Sequence, residues 1–340
     1  KQIGYQIKTK DIFEALDFKE LAARIVRNTK EIDQKIVVGD IPLTPIQLNF
    51  FTSPSFKTHH HFNQSVILKS ALQVDNKMLE FCLENLTTHH DALRITYKKE
   101  KDVWTQYNHD TSNKSYSIEF YDLQNTADAL KKMNQLAHGI QSSFDLENGP
   151  LFKVGHFRLS DGDRIALIVH HLVIDGVSWR VILEDLSLLI EQYQSKASPK
   201  LPLKTDSYQA WSKGIKEYAD SDKIIEEKTY WQQICDADIP VLPMDLDTGR
   251  NIIYYDTVLS FSLNKSITTL LQKGVHNVHQ TDINDLLLSA LGKAIRDIFN
   301  VERTVITLEG HGREEILEGI DVSRTVGWFT SIFPFILEAS

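Results

Sequence analysis

Cysteine is nearly absent from this 340-residue sequence: Cys82 and Cys235 stand far apart and form no CxxC pattern. A disulfide framework is therefore unsupported, and a reducing, cytoplasmic compartment fits best. Long apolar runs are missing too. A membrane-spanning helix needs about 20 such residues, and the stretch around Leu286–Leu291 is cut off by Lys293. No secretory signal pattern opens the chain. It starts at Lys1 in mid-pattern and reads as a piece of a larger polypeptide. Positive charge is the scarcer sign, with 37 Lys and Arg against 46 Asp and Glu and a net charge of −9, which argues against a nucleic-acid surface. There is no GxGxxG, no Walker loop and no pyridoxal-lysine signature, so no cofactor pattern competes. His276 and His279 lie three apart, but no third ligand is evident and no metal is expected.

What is present is ordinary globular material: 42% hydrophobic and 24% charged residues, enough for two domains or one large two-lobed one. Residues 1–28 stand apart, with Leu21, Ala22, Ile25 and Val26 on one face of a predicted helix. A polar stretch over 29–40 reads as a linker. From Ile41 the pattern is compact. "NQSVILKSAL" alternates like a strand, and "NKMLEFCLENLTTHHDALRITY" gives a helix and then a strand. "RIALIV", residues 164–169, has the nearly all-apolar character of a central strand buried on both faces. A helix with a broad apolar stripe follows over Val177–Tyr193. Residues 41–235 group as one lobe. Residues 236–340 group as a crossover and a partial second lobe, with strands at "DTVLSFSL", "TVITLEG" and "VGWFTSIFPFIL" and a helix capped by Asp282. Strands and helices mix throughout, so the expected class is a two-lobed α/β sandwich with the second lobe incomplete.

The strongest local feature is His170-His171-Leu172-Val173-Ile174-Asp175-Gly176, placed where the buried strand gives way to the helix. Reactive groups on α/β folds gather at the carboxyl ends of strands. Adjacent histidines there point to opposite sides, so one can face a cleft and the other the packing. Asp175 can orient a histidine or pair with a basic residue, and Gly176 permits a tight turn. Paired histidines alone are usually packing residues, and His59–His61 and His89–His90 are given no catalytic role. The second feature is "EGHGRE", Glu309–Glu314, after the strand 304–308. Glu309 is the first polar residue past apolar positions, where partial desolvation would make a carboxylate a better base. Ser178 reads as a helix cap rather than a nucleophile, and Trp179 and Trp328 as core or cleft wall.

These motifs carry a resemblance. "HHLVIDG" is similar to the HHxxxDG signature of nonribosomal condensation domains, epimerization domains and chloramphenicol-acetyltransferase-like enzymes. "HHLVIDGVSWRVILEDL" and "EGHGRE" resemble the epimerization version, and Val177 departs from the aromatic residue that condensation domains carry at that place. "PLTPIQLNFF", "HHDALRITY" and "SRTVGWFTSIFPF" resemble further family blocks, in the family's order across residues 42–335. Residues 1–28 look like the C-terminal end of a peptidyl carrier protein, without its phosphopantetheine-bearing serine motif. Later blocks of the family, one with a site tyrosine, are not found in these residues.

The resemblance implies a chloramphenicol-acetyltransferase-like fold in a bacterial nonribosomal peptide synthetase. It implies an isomerase that inverts the α-carbon of an aminoacyl or peptidyl thioester to a D/L mixture. The principal pair would be His171 and Glu309, supported by His170, Asp175, Gly176, Arg313 and Arg324, with Asp175 paired to Arg313 or Arg324. No cofactor would be bound directly, because phosphopantetheine arrives on the carrier protein. An upstream adenylation domain and a downstream condensation domain would be the other partners. The alternative is a condensation domain that joins two carrier-bound substrates; a non-catalytic docking module ranks below it.

Overall fold

The computed structural model describes residues 5–6, 11–12, 15–27, 32–56, 58–71, 73–244, 258–274 and 281–339. It divides into two compact units, residues 1–220 with 311–330, and residues 221–310 with 331–340.

The first unit is built on two sheets. Strands β4 (Asn63–Ser70), β7 (Ser117–Asp122), β8 (Phe152–Leu159) and β9 (Gly162–His170) form one in the order β4-β9-β8-β7, antiparallel except for the parallel β7–β8 pair. As its sequence requires, β9 is central, and its last six residues are all buried. A central strand has no solvated face, so alternation gives way to a continuous apolar run. β4 alternates because only one of its faces is covered. Strands β3 (Gly39–Ile41), β5 (Ile95–Glu100) and β6 (Val103–Asn108) form the other sheet, in the order β3-β6-β5. β6 and β8 carry no alternation strong enough to be read from sequence. Helices α2 (Pro45–Thr52), α3 (Asn76–His89), α4 (Ala129–Gln141), α5 (Gly176–Gln194) and α6 (Tyr208–Ala219) complete this unit. Of the expected stripe on α5, Val181, Leu186 and Leu189 are buried and Leu183 and Ile190 half-buried, and Trp179 and Ile182 are buried beside them.

The N-terminal segment departs from expectation. Among the described residues the helix is interrupted: residues 11–12 are helical, and α1 then covers Phe18–Ala23, started by Asp17, whose side chain accepts from the Glu20 N–H. Two-residue strands β1 (Tyr5–Gln6) and β2 (Val26–Arg27) pair beside it. Leu16 and Phe18, at the break between the two helical stretches, are largely exposed.

The second unit holds α7 (Asp222–Cys235), α8 (Lys265–Lys273), α9 (Ile283–Phe299) and the antiparallel pair β10 (Arg303–Gly310) and β11 (Ser331–Glu338). Asp282 caps α9 by accepting from the Asn284 and Asp285 N–H groups, as its sequence predicts. The expected strand over 256–263 does not form among its described residues. Val258, Leu259 and Phe261 are exposed there, with no ladder partner to hold a strand. The strand read into 326–337 begins only at Ser331, because Trp328 and Phe329 are buried in the first unit. β11 runs through Pro334 opposite Thr307 without a break, since every strand of a two-stranded sheet has a free edge. His276 and His279 lie outside the described residues. No described helix is long and apolar enough to cross a membrane.

Candidate active site

The His170–Gly176 motif straddles the end of β9 and the start of α5, with a short 3₁₀ turn over His171–Val173 between them. Elements from distant sequence hold that turn. The His171 N–H donates to the Phe62 carbonyl at 2.7 Å, and the Leu172 carbonyl accepts from the Tyr97 hydroxyl at 2.9 Å and the Gln47 amide at 3.3 Å.

The two histidines have opposite fates. His170 is fully buried, its Nε2 donating to the His59 carbonyl at 2.9 Å while Nδ1 faces the Leu172 N–H. Burial pushes its ring down to about 3, a neutral packing histidine. His171 is half-buried between two aromatic rings, stacked on Phe62 at 4.9 Å and tilted against Trp328 at 4.7 Å.

The tautomer of His171 follows from its partners. Nδ1 lies 2.8 Å from the Ile174 carbonyl, which can only accept, so Nδ1 carries the hydrogen. Nε2 lies 2.8 Å from the side-chain nitrogen of Gln64. The amide's orientation is not free: its Oε1 accepts from the Trp179 indole N–H at 2.8 Å, and an indole nitrogen can only donate. Gln64 therefore donates to Nε2, whose lone pair is the ring's accepting end.

Asp175 is the N-cap of α5, accepting from the Ser178 N–H at 2.7 Å. Of the two arginines considered for it, Arg313 is the partner: its Nη2 reaches both carboxylate oxygens at 3.0 Å, with each side chain 6% exposed. Arg313 also donates to the Val322 and Thr325 carbonyls and lies over the Phe329 ring at 3.8 Å. Burial pushes the guanidinium below its usual range. Ser178 is not the cap. Its hydroxyl donates to the Gly327 carbonyl and accepts from Gly327 N–H and Arg313. This network fastens the segment that carries Trp328 to the head of α5. Arg324 instead pairs with Glu184 and Asp185 on the next turns of that helix. Gly176 begins α5 without a positive φ and with open space where a Cβ would sit, so neither strain nor crowding demands glycine there.

Glu309 belongs to the second unit. It lies within β10 opposite Ile332 and is exposed, so the expected partial desolvation is absent. His89, His90 and Asp185 offer ligand atoms within 4.8 Å of one another, but the Asp185 carboxylate is already bonded to His90 and Arg324. That arrangement is a buried ion-pair network, not an open ligand set. Sequence reasoning missed Gln64, Phe62 and the Ile174 carbonyl. Gln64 approaches His171 only through the β4–β9 register, which sequence spacing does not reveal.

Residues 37–340 match the family model described as "Condensation domain", and the chain belongs to that family. It is 39% identical to tyrocidine synthase 2 of Brevibacillus parabrevis and 35% identical to bacitracin synthase 3 of Bacillus licheniformis, in each case over 98% of its length. It spans only 9% and 5% of those proteins. Among solved structures it is similar to the epimerization domain from the third module of tyrocidine synthetase B, with TM-score 0.86 and 40% identity over 91% of this chain and 69% of that one. The first condensation domain of the calcium-dependent antibiotic synthetase shares the fold at TM-score 0.69 and 17% identity, over 88% of this chain and 70% of that one. The mixed α/β, chloramphenicol-acetyltransferase-like class expected from sequence is thus the observed one.

Proposed function

We propose that this chain epimerises the α-carbon of an aminoacyl or peptidyl thioester carried on the phosphopantetheine arm of a peptidyl carrier protein. The observation that carries this reading is the likeness to an epimerization domain at 40% identity, joined to a ring nitrogen of His171 that is held as an acceptor. Inversion breaks the Cα–H bond. The proton goes to a base and the electron pair moves onto the thioester oxygen as an enolate. A proton then returns from the other face. In this reading His171 and Glu309 are the reacting pair, one removing the proton while the other returns it or holds the enolate. A positioned acid or base contributes roughly 10²–10⁴-fold. Asp175 and Arg313 serve geometry, not proton transfer. The carrier protein delivers the substrate within a synthetase that also holds adenylation and condensation domains.

The test is α-hydrogen exchange on an L-aminoacyl carrier by the full-length protein. His171→Ala and Glu309→Gln each lower the single-turnover exchange rate at least about 100-fold. Full exchange in both variants rejects the assignment. Amide-bond formation without exchange favours condensation instead.

A further inference from the structure

Gln64 occupies an inward position of β4, in line with Val66 and Leu68, where the strand's pattern calls for an apolar side chain. A primary amide there needs its hydrogen bonds met, because an unpaired buried amide costs about 1–3 kcal/mol. Its side-chain partners among the described residues are Trp179, through Oε1, and His171, through the amide nitrogen. Trp179 comes from α5 and His171 from the turn after β9, so one amide links the two halves of the motif around Asp175.

We propose that Gln64, oriented by Trp179, is a positioning residue that holds Nε2 of His171 as the ring's acceptor. With the indole N–H fixed on Oε1, only amide hydrogens can face the ring. A second ring proton on Nε2 would meet a donor and find no acceptor. The Ile174 carbonyl fixes which nitrogen bears the hydrogen, and Gln64, by donating to the other, fixes the orientation of the ring. This inference rests on the reading of His171 as a reacting group, but the state of the ring can be tested apart from the rate.

Long-range proton–nitrogen correlation spectra of the ¹⁵N-histidine-labelled full chain identify the His171 ring as the signal lost in His171→Ala. The wild-type ring shows the neutral pattern with hydrogen on Nδ1. Gln64→Glu places an acceptor against Nε2 while leaving one for Trp179, and the ring shows the doubly protonated pattern at neutral pH. Gln64→Leu removes the donor and lowers kcat for exchange roughly 10- to 100-fold, the scale of a misaimed reacting group, with KM within about twofold. Trp179→Phe frees the amide to turn and shifts kcat the same way by less. A neutral, unchanged ring in folded Gln64→Glu overturns the inference. A changed ring with wild-type exchange rates upholds the hold on the ring and instead rejects His171 as a reacting group.

Discussion

Replacing Arg313 by Met keeps the aliphatic stem and deletes the guanidinium. The deletion removes two hydrogen bonds to Asp175, one to the Ser178 hydroxyl and two to the carbonyls of Val322 and Thr325, together with the contact over Phe329. Asp175 stays buried with only the Ser178 and Phe329 N–H groups for its charge. Removing one member of a buried pair costs about 3–5 kcal/mol, because the remaining charge is left without compensation. Asp175→Asn removes that charge, so the double variant recovers about 2 kcal/mol of the loss. Urea unfolding of the full chain, followed by far-ultraviolet circular dichroism and tryptophan fluorescence, measures each corner of the cycle. A cost below about 1 kcal/mol for Arg313→Met, or single losses that simply add in the double variant, would refute the reasoning. The same variant loosens the segment bearing Trp328, so the proposed α-hydrogen exchange is expected to fall alongside stability.

Acid sensitivity follows from His170. Burial lowers its ring from 6.5 to about 3, so below pH 6.5 the unfolded chain takes up a proton that the folded chain refuses until about pH 3. Stability is therefore intact above pH 6.5 and lost as pH falls through that window. At about 1.36 kcal/mol per pH unit, the loss reaches about 2 kcal/mol at about pH 5. His89, lowered by burial to about 4, adds to the slope in the same window, so His170→Gln lessens the dependence of the urea midpoint between about pH 5 and 6.5 without abolishing it, and an unaltered slope speaks against the assignment. Gly327→Ala drives a Cβ into the ring of Tyr208, whose hydroxyl is tied to the Trp328 carbonyl; the variant loses at least about 2 kcal/mol, read as a lower urea midpoint. The buried Trp328 indole nitrogen has no partner among the described residues. Trp328→Phe keeps a ring against His171 and sheds that unpaired donor, which offsets the lost volume, so stability stays within about 1 kcal/mol of wild type. A loss above about 2 kcal/mol contradicts this.

The legible parts of the fold were those with strong local periodicity. The run before His170 reads as a central strand because both faces are covered, and α5 reads as a helix because its stripe is broad. β6 escaped because its inward face ends in polar Gln106 and Asn108, and β8 because Lys153, Gly155 and His156 interrupt an apolar run that is buried almost throughout. The strand expected near residue 260 failed for a different reason. Propensity supplies side chains suited to a pleated surface, but a strand exists only where another offers its backbone. At the site, the motif residues could be found by spacing, and so could the ion pair of Asp175, because a buried carboxylate needs a cation. The choice of Arg313 over Arg324 could not, since it depends on how residues 311–330 return to the first unit. Gly176, a turn former by its residue type, has no positive φ, and the turn falls instead on His171–Val173. Gln64 was invisible because its meaning comes from a neighbour at the end of β9 and a donor on α5, both more than 100 residues away.

The most direct measurement incubates the full-length protein with an L-aminoacyl carrier in deuterium oxide, then determines the chirality and isotope content of the released amino acid. The account predicts a mixture of D and L forms, both labelled at the α-carbon. Recovery of unlabelled L-amino acid alone, from protein that is folded and engages the carrier, would contradict it.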